Sequence, residues 1–246
     1  MFELVFLALK HQRKFLLYLN FLFSAHLIAC SFVSKKSLIC DLVSNELFHP
    51  IKESLTFSTS EIYSANHSFV FLKPDSSIIA KNQNFIIPSF SSEIHHEVEL
   101  VVKINKVGKH IDESFSNKYY NEIGLGIDFT ARDIQNNLKQ KGHPWEKSKA
   151  FDNSCLVGEF IVKDELENQS NIEFSLKKNN LIVQSGSSSQ MLWKIDELIS
   201  YVSQYFTLKI GDLIFTGTPA GVSKIISGDL LEGYINSNKM FSLKVK

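Results

Sequence analysis

Two glutamates at alternate positions of a strand-like segment are the residues in this sequence most suited to chemistry. The segment SEIHHEVELVVKI (residues 92–104) places Glu97 and Glu99 next to an apolar run that is typical of a buried strand. Because successive strand side chains point to opposite faces, Glu97 and Glu99 point the same way, about 7 Å apart along the chain. Two like charges on one face indicate either a face in contact with water or a cation between them.

A third carboxylate favours the cation. Asp128 lies in the apolar segment GLGIDFTA, where an unpaired buried carboxylate would be costly. Three carboxylates that converge from two strands predict a hard divalent ion, with Mg2+ first and Mn2+ or Ca2+ as substitutes. Of the neighbouring histidines, His95 shares the face of Glu97 and could support the ligands, whereas His96 points to the opposite face.

Polar residues that could bind an anionic substrate follow Asp128. Arg132 and Gln135 are three residues apart in a predicted helix, so both can face one site. Guanidinium geometry suits a carboxylate. The alternative is a surface arginine paired with Asp133 or Glu146.

A lysine pair and a glycine-proline loop add two further candidates. Lys149 lies in PWEKSKAF, where spacing alone does not distinguish it from Lys147. The loop TGTPAGV (residues 216–222) offers two hydroxyls and exposed amides to a small anion, although many loops of this composition are only turns.

The elements that must position these residues are mainly short strands. Apolar runs predict strands at residues 37–40, 68–74, 84–88, 98–104, 122–131 and 155–162, and a hairpin that turns at Asn179 and Asn180. Residues 132–142, with Gly142 as the stop, and residues 194–206 are predicted helices. Many strands, few helices and no regular alternation of the two predict an α+β, β-rich fold.

Composition limits the possible partners. Lys and Arg number 26, as do Asp and Glu, so the chain has no net charge and nucleic acid is not an expected partner. Cys30, Cys40 and Cys155 have no metal-binding spacing and are interpreted as reduced thiols in a reducing compartment.

The first 36 residues differ from the rest. KHQRK (residues 10–14) precedes the apolar run FLLYLNFLFSAHLIAC (residues 15–30), which is the order of an export signal. Asn20, Ser24 and His26 interrupt that run and make it a poor membrane span. We interpret residues 1–36 as a non-native or poorly packed extension of a cytoplasmic protein. The alternative is export or lipid anchoring through residues 1–30, and membrane contact is expected only in that case.

Four motifs together resemble one known family. IHHEVEL, GIDFTARDIQ, KGHPWEKSKAFD and GDLIFTGTPAGV are similar, in this order, to the fumarylacetoacetate hydrolase family, above all its small acylpyruvate hydrolases and oxaloacetate decarboxylases. The resemblance runs from about Ser68 to the C-terminus. It implies a fumarylacetoacetase-like mixed β-sheet roll with a few peripheral helices, and a homodimer.

The resemblance also implies roles for individual residues. Lys149, rather than Lys147, matches the active-site lysine of the family. The implied Mg2+ ligands are Glu97, Glu99 and Asp128. The implied substrate-binding residues are Lys73, Arg132, Gln135 and Thr218.

The sequence departs from the family before Ser68. Small members carry a Gly-Arg-Asn-Tyr stretch and a lid helix with a His-x-x-Glu dyad, where this chain has SLICDLVSNELFHPIKESLTF. His49 and Glu53 are the candidate catalytic pair, and a spacing of four can share one helix face. Pro50 in the first turn would make His49 the cap and turn it aside. The expected segments are an extension (1–36), a divergent lid region (37–67) and a catalytic domain (68–246).

The resemblance, together with these residues, implies Mg2+-dependent cleavage of a C–C bond in a short 2-oxo or 2,4-dioxo acid, as in acylpyruvate or fumarylpyruvate hydrolases. Hydrolysis needs a base that activates water, the role expected of His49 and Glu53. Oxaloacetate decarboxylation is an alternative that needs only an electron sink. Isomerisation of a 2-hydroxydienoate such as 2-hydroxyhepta-2,4-diene-1,7-dioate is another, which the same metal site would support. A further alternative is an inactive homologue with a damaged lid.

Overall fold

A computed structural model describes residues 39–43, 69–166 and 168–246 of the chain. Its strands are β1 (Ile39–Val43), β2 (Phe69–Lys73), β3 (Ile94–Ile104), β4 (Tyr120–Ala131), β5 (Cys155–Val162), β6 (Glu173–Lys178), β7 (Leu181–Ser187), β8 (Leu213–Phe215), β9 (Ser223–Lys224), β10 (Leu230–Ile235) and β11 (Asn238–Lys244). Its α-helices are α1 (Glu113–Ser116), α2 (Arg132–Lys141), α3 (Glu146–Lys149) and α4 (Ile195–Tyr205).

The strands form two sheets. The larger sheet has the order β2-β1-β8-β3-β4-β5, with β9 also paired to β3. It is mixed, because β1 runs parallel to β8 while the other neighbours are antiparallel. The smaller sheet has the order β11-β10-β6-β7, which makes β7 an edge strand.

The long β3–β4 hairpin forms the centre of the larger sheet. Its register runs from the pair Ile94 and Ala131 to the pair Ile104 and Tyr120. Side-chain alternation sends Val98, between the two glutamates, and Leu100, after Glu99, into the main core, where both are fully buried. Residues of the smaller sheet belong to the same core, and the carboxylates lie on the opposite face of the hairpin.

Most predicted elements are confirmed, including the α+β, β-rich class. Strand β5 has the predicted bounds, and α2 ends before Gly142, which adopts a left-handed conformation with φ 62°. The strand predicted at residues 84–88 is wrong: Phe85 makes only an isolated bridge to Val245, and Pro88 has no N–H with which to extend it.

The N-terminal predictions lie mostly outside the described residues. Strand β1 includes Ile39 and Cys40, the last two residues of the strand predicted at residues 37–40, and the first two lie outside the described residues. His49, Glu53 and the extension of residues 1–36 are not among the described residues. Within the described ranges, no helix is long and apolar enough to cross a membrane.

Candidate metal centre and active site

Three buried carboxylates meet on one face of the β3–β4 hairpin. Glu97 lies directly opposite Asp128 in the strand register, and Glu99 lies opposite Gly126. One carboxylate oxygen of each lies within 4.8 Å of one oxygen of each of the others. The three residues are 4%, 1% and 0% exposed, so their charges require compensation within the protein.

Lys149 bridges two of these carboxylates from the end of α3. Its Nζ lies 2.7 Å from Glu97 Oε2 and 2.7 Å from Thr130 Oγ1, and it also donates to Asp128 Oδ2. Lys149 is fully buried, whereas Lys147 is exposed on the same short helix. The structure therefore distinguishes the two lysines that spacing could not.

Lys73, at the end of β2, contacts the same carboxylate cluster through Asp128. Its Nζ lies 2.7 Å from Asp128 Oδ1 and donates to the carbonyl and hydroxyl of Ser154 at 3.1 Å and 3.0 Å. It also donates to the main-chain carbonyl of Lys149. Lys73 thus contacts the carboxylate cluster itself, and substrate binding by Lys73 stays a prediction.

Arg132 and Gln135 lie together at the start of α2. Arg132 Nη2 donates to Glu97 Oε1, and its Nη1 donates to Gln135 Oε1 at 2.6 Å. The alternative pairing of Arg132 with Asp133 is not observed. Asp133 instead accepts hydrogen bonds from Ser91 Oγ at 2.6 Å and from the amide of Ser92 at 2.9 Å.

The lysine and arginine determine the ionisation of Glu97. Burial raises the pKa of this carboxyl, but the charges of Lys149 and Arg132 outweigh that effect and hold the pKa at about 2. Glu97 is therefore an anion at neutral pH. The pKa of His95 is lowered, mainly by partial burial and then by the charge of Arg132.

The loop of residues 216–222 contacts the third carboxylate through its backbone. The amide of Gly217 donates to Glu99 Oε2 at 2.5 Å. Thr218, the predicted substrate ligand, donates its hydroxyl to the carbonyl of Val98 at 2.9 Å. This hydrogen bond joins Thr218 to β3 at the residue between the two glutamates. Substrate binding by Thr218 stays a prediction.

Sequence reasoning missed three residues around the site. Thr130 could have been found, because it is two residues after Asp128 and shares its face. Ser154, just before β5, and Gln184, on β7, carry no sequence signal, since they reach the site only through tertiary packing. His96 points to the face opposite Glu97, as predicted, and there it is hydrogen-bonded to Gln184 and Ser223 at 2.8 Å each.

The donor set fits a divalent cation. Glu97, Glu99 and Asp128 would hold it through oxygen alone, which suits Mg2+, Mn2+ or Ca2+. In the absence of a metal, Lys73 Nζ at 2.7 Å from Asp128 Oδ1 and Lys149 provide the positive charge that the buried Asp128 carboxylate needs.

Comparison with known proteins identifies the family. The family described as "Fumarylacetoacetate (FAA) hydrolase C-terminal" matches residues 46–243, which is most of the chain. The chain belongs to the fumarylacetoacetate hydrolase family. Its members are metal-dependent hydrolases, decarboxylases or isomerases, so the chain is an enzyme of this group. The family match begins at residue 46, whereas the motif resemblance began at about Ser68.

Two curated relatives carry the same activity in their names. The mitochondrial oxaloacetate tautomerase FAHD1 of Mus musculus is 36% identical over 211 residues, which cover 86% of this chain and 92% of the relative. The oxaloacetate tautomerase YcgM of Escherichia coli K12 is 42% identical over 163 residues, which cover 66% and 74%.

A solved structure gives a third comparison. The fumarylpyruvate hydrolase of Pseudomonas aeruginosa, crystallised with Mn2+ and pyruvate, matches with a TM-score of 0.73 and 28% identity. The match covers 85% of this chain and 89% of that one. The predicted fumarylacetoacetase-like fold is therefore confirmed.

Proposed function

We propose that the protein interconverts the enol and keto forms of oxaloacetate, using a divalent cation held by Glu97, Glu99 and Asp128. The observation that carries this proposal is Lys149, a buried proton carrier 2.7 Å from Glu97 and in contact with Asp128. The names of the relatives from mouse and E. coli support the choice of oxaloacetate.

The residues have separable tasks in this reaction. When bound, the cation supplies a Lewis acid that stabilises negative charge on the oxygen of a 2-oxo acid. Lys149 Nζ donates a proton to C3 when the enol becomes the keto form, and the proton released by the enol hydroxyl restores its ammonium group; in the reverse direction both transfers run backwards. Arg132 binds a substrate carboxylate with the guanidinium group that otherwise contacts Glu97. Burial of the cluster keeps bulk water from exchanging these protons.

Tautomerisation needs no activated water, unlike C–C hydrolysis, and the names of the relatives from mouse and E. coli favour it. Among the described residues around the carboxylates, His96 is bonded within the core, and Glu97 and Asp128 are each paired with a cationic side chain. The predicted water-activating pair, His49 and Glu53, lies outside the described residues.

Hydrolysis of an acylpyruvate or fumarylpyruvate is the second candidate. The similarity to the P. aeruginosa fumarylpyruvate hydrolase favours it. Two other reactions have support from relatives. An oxaloacetate decarboxylase of Dictyostelium discoideum is 41% identical over 165 residues, and the structure of a 2-hydroxyhepta-2,4-diene-1,7-dioate isomerase of Mycobacterium marinum matches with a TM-score of 0.71. The complete carboxylate cluster and buried Lys149 weigh against an inactive homologue.

The test follows the ultraviolet absorbance of enol-oxaloacetate with purified protein, with Mn2+ or with chelator. Released CO2 and pyruvate are measured in parallel, and Mn2+ without protein is the control for uncatalysed reaction. Chelator-sensitive loss of the enol with little CO2 supports tautomerisation. Formation of CO2 in an amount equal to the enol lost would show decarboxylation instead. Fumarylpyruvate is assayed as a second substrate, and turnover of fumarylpyruvate alone would show hydrolysis.

Assembly and location remain proposals. The homodimer implied by the family is tested by light scattering of the purified chain. A cytoplasmic location is tested by fractionation, since the relative from mouse is named as mitochondrial.

A further inference from the structure

On the side of β3 that faces away from β4, strand pairing is interrupted beside the candidate metal ligands. Strand β8 pairs with β3 over residues 101–103, and β9 pairs with His95 and His96. Between β8 and β9, no described strand pairs with this side of β3 at Val98, the residue that separates Glu97 from Glu99. The amide of Val98 instead donates to Gln184 Oε1 at 3.1 Å, and its carbonyl accepts from Thr218 Oγ1 at 2.9 Å.

Gln184 makes four hydrogen bonds at this interruption and is only 1% exposed. Its Oε1 accepts from the Val98 amide and from His96 Nδ1, the latter at 2.8 Å. Its Nε2 donates to Thr218 Oγ1 and to the carbonyl of Pro219, both at 2.9 Å. Because an amide oxygen only accepts and an amide nitrogen only donates, this pattern fixes the orientation of Gln184 and puts the His96 proton on Nδ1.

The loop is held closely against the strand that carries Gln184. Gly221 has φ 102°, and a Cβ at this position would lie 2.1 Å from the carbonyl oxygen of Val183 on β7. The loop therefore needs glycine here to approach β7. From this position, the amide of Gly217 reaches Glu99 Oε2.

We propose that Gln184 is a positioning residue for the metal centre. It joins the strand between Glu97 and Glu99 to the loop that binds Glu99, and so fixes the spacing of these two carboxylates. Gln184 contacts neither carboxylate and acts through Val98 and Thr218. This inference rests on the proposed metal role of the carboxylates.

The test replaces Gln184 with Met, which has nearly the same volume but no hydrogen-bonding amide. Gln190→Met, at an exposed glutamine of the same chain, is the matched control. Mn2+ affinity is measured by titration calorimetry without substrate, on protein shown to be folded by circular dichroism. We expect a Kd about tenfold higher in Gln184→Met and unchanged in Gln190→Met, because imprecise support of metal ligands typically costs this much affinity.

A second variant separates positioning from general stability. Thr218→Val removes the hydrogen bonds of Thr218 to Gln184 and Val98 and leaves the other hydrogen bonds of Gln184 in place. Because both residues belong to one network, the losses of Mn2+ affinity in Thr218→Val and Gln184→Met should not add in the double variant. If Gln184→Met does not fold, Thr218→Val alone decides, with several-fold weaker Mn2+ binding expected. Unchanged Mn2+ affinity in the folded variants would overturn the proposal. Absence of Mn2+ binding by the wild-type protein would overturn the metal role and this inference together.

Discussion

Replacing Lys149 with Met should destabilise the metal-free protein strongly. The side chain is fully buried, and its ammonium group contacts Glu97, Asp128 and Thr130. Removing one partner of a buried ion pair costs about 3–5 kcal/mol, because the remaining charges lose their compensation. In chelator, the free energy of unfolding of Lys149→Met should fall by about this amount.

A divalent cation should restore much of this stability. A cation at the carboxylates would replace the lost ammonium charge, and a ligand at a hundred times its Kd stabilises the native state by about 2.7 kcal/mol. The gain on adding Mn2+ should be larger in Lys149→Met than in the wild type, because Lys149 no longer competes for the same oxygens.

Urea denaturation followed by circular dichroism, in chelator and in excess Mn2+, measures both effects. Lys147→Met is the matched control: Lys147 is exposed two residues away, so its replacement should change the unfolding free energy by less than about 0.5 kcal/mol. Equal stability of the two variants in chelator would refute the buried ion pair.

Three further predictions concern neighbouring residues. The pKa of Glu97 is lowered from 4.5 to about 2, so its ionisation stabilises the fold above pH 4.5 and this contribution is lost as the pH falls toward 2. In chelator, the difference in unfolding free energy between wild type and Glu97→Gln should therefore shrink by about 2 kcal/mol from pH 7 to pH 3, and a difference independent of pH would contradict this. Gly126→Ala should lower the unfolding free energy by about 1–3 kcal/mol, because the added Cβ would lie 2.5 Å from the carbonyl oxygen of Leu156; an unchanged Tm would be evidence against this close approach. Arg132→Lys should raise the KM for oxaloacetate about tenfold, because an ammonium group cannot bind a carboxylate in two places; an unchanged KM would exclude Arg132 from substrate binding.

The part of the site that sequence could predict is the part that local geometry determines. Strand alternation placed Glu97 and Glu99 on one face and His96 on the other, and helical spacing brought Arg132 and Gln135 together. These relations hold within one element, so they do not depend on how the sheets pack.

The rest depends on contacts between distant segments. Gln184 reaches His96 across 88 residues of sequence, from the edge of the other sheet. Lys73 and Lys149 are held against Asp128 by the packing of β2 and α3, and neither contact follows from spacing. The strand predicted at residues 84–88 was wrong for a similar reason, since its apolar run indicated the burial of Phe85 but not that Phe85 makes only an isolated bridge to Val245.

The most direct test of the metal centre is calorimetric titration of Mn2+ into wild-type protein and Glu99→Gln. Glutamine keeps an oxygen that can accept from the Gly217 amide but removes the ligand charge. We expect one site per chain in the wild type and a Kd at least about a hundredfold higher in Glu99→Gln, since a direct ligand should matter more than its supporting residues. Equal affinity in the two proteins would contradict a metal centre at Glu97, Glu99 and Asp128.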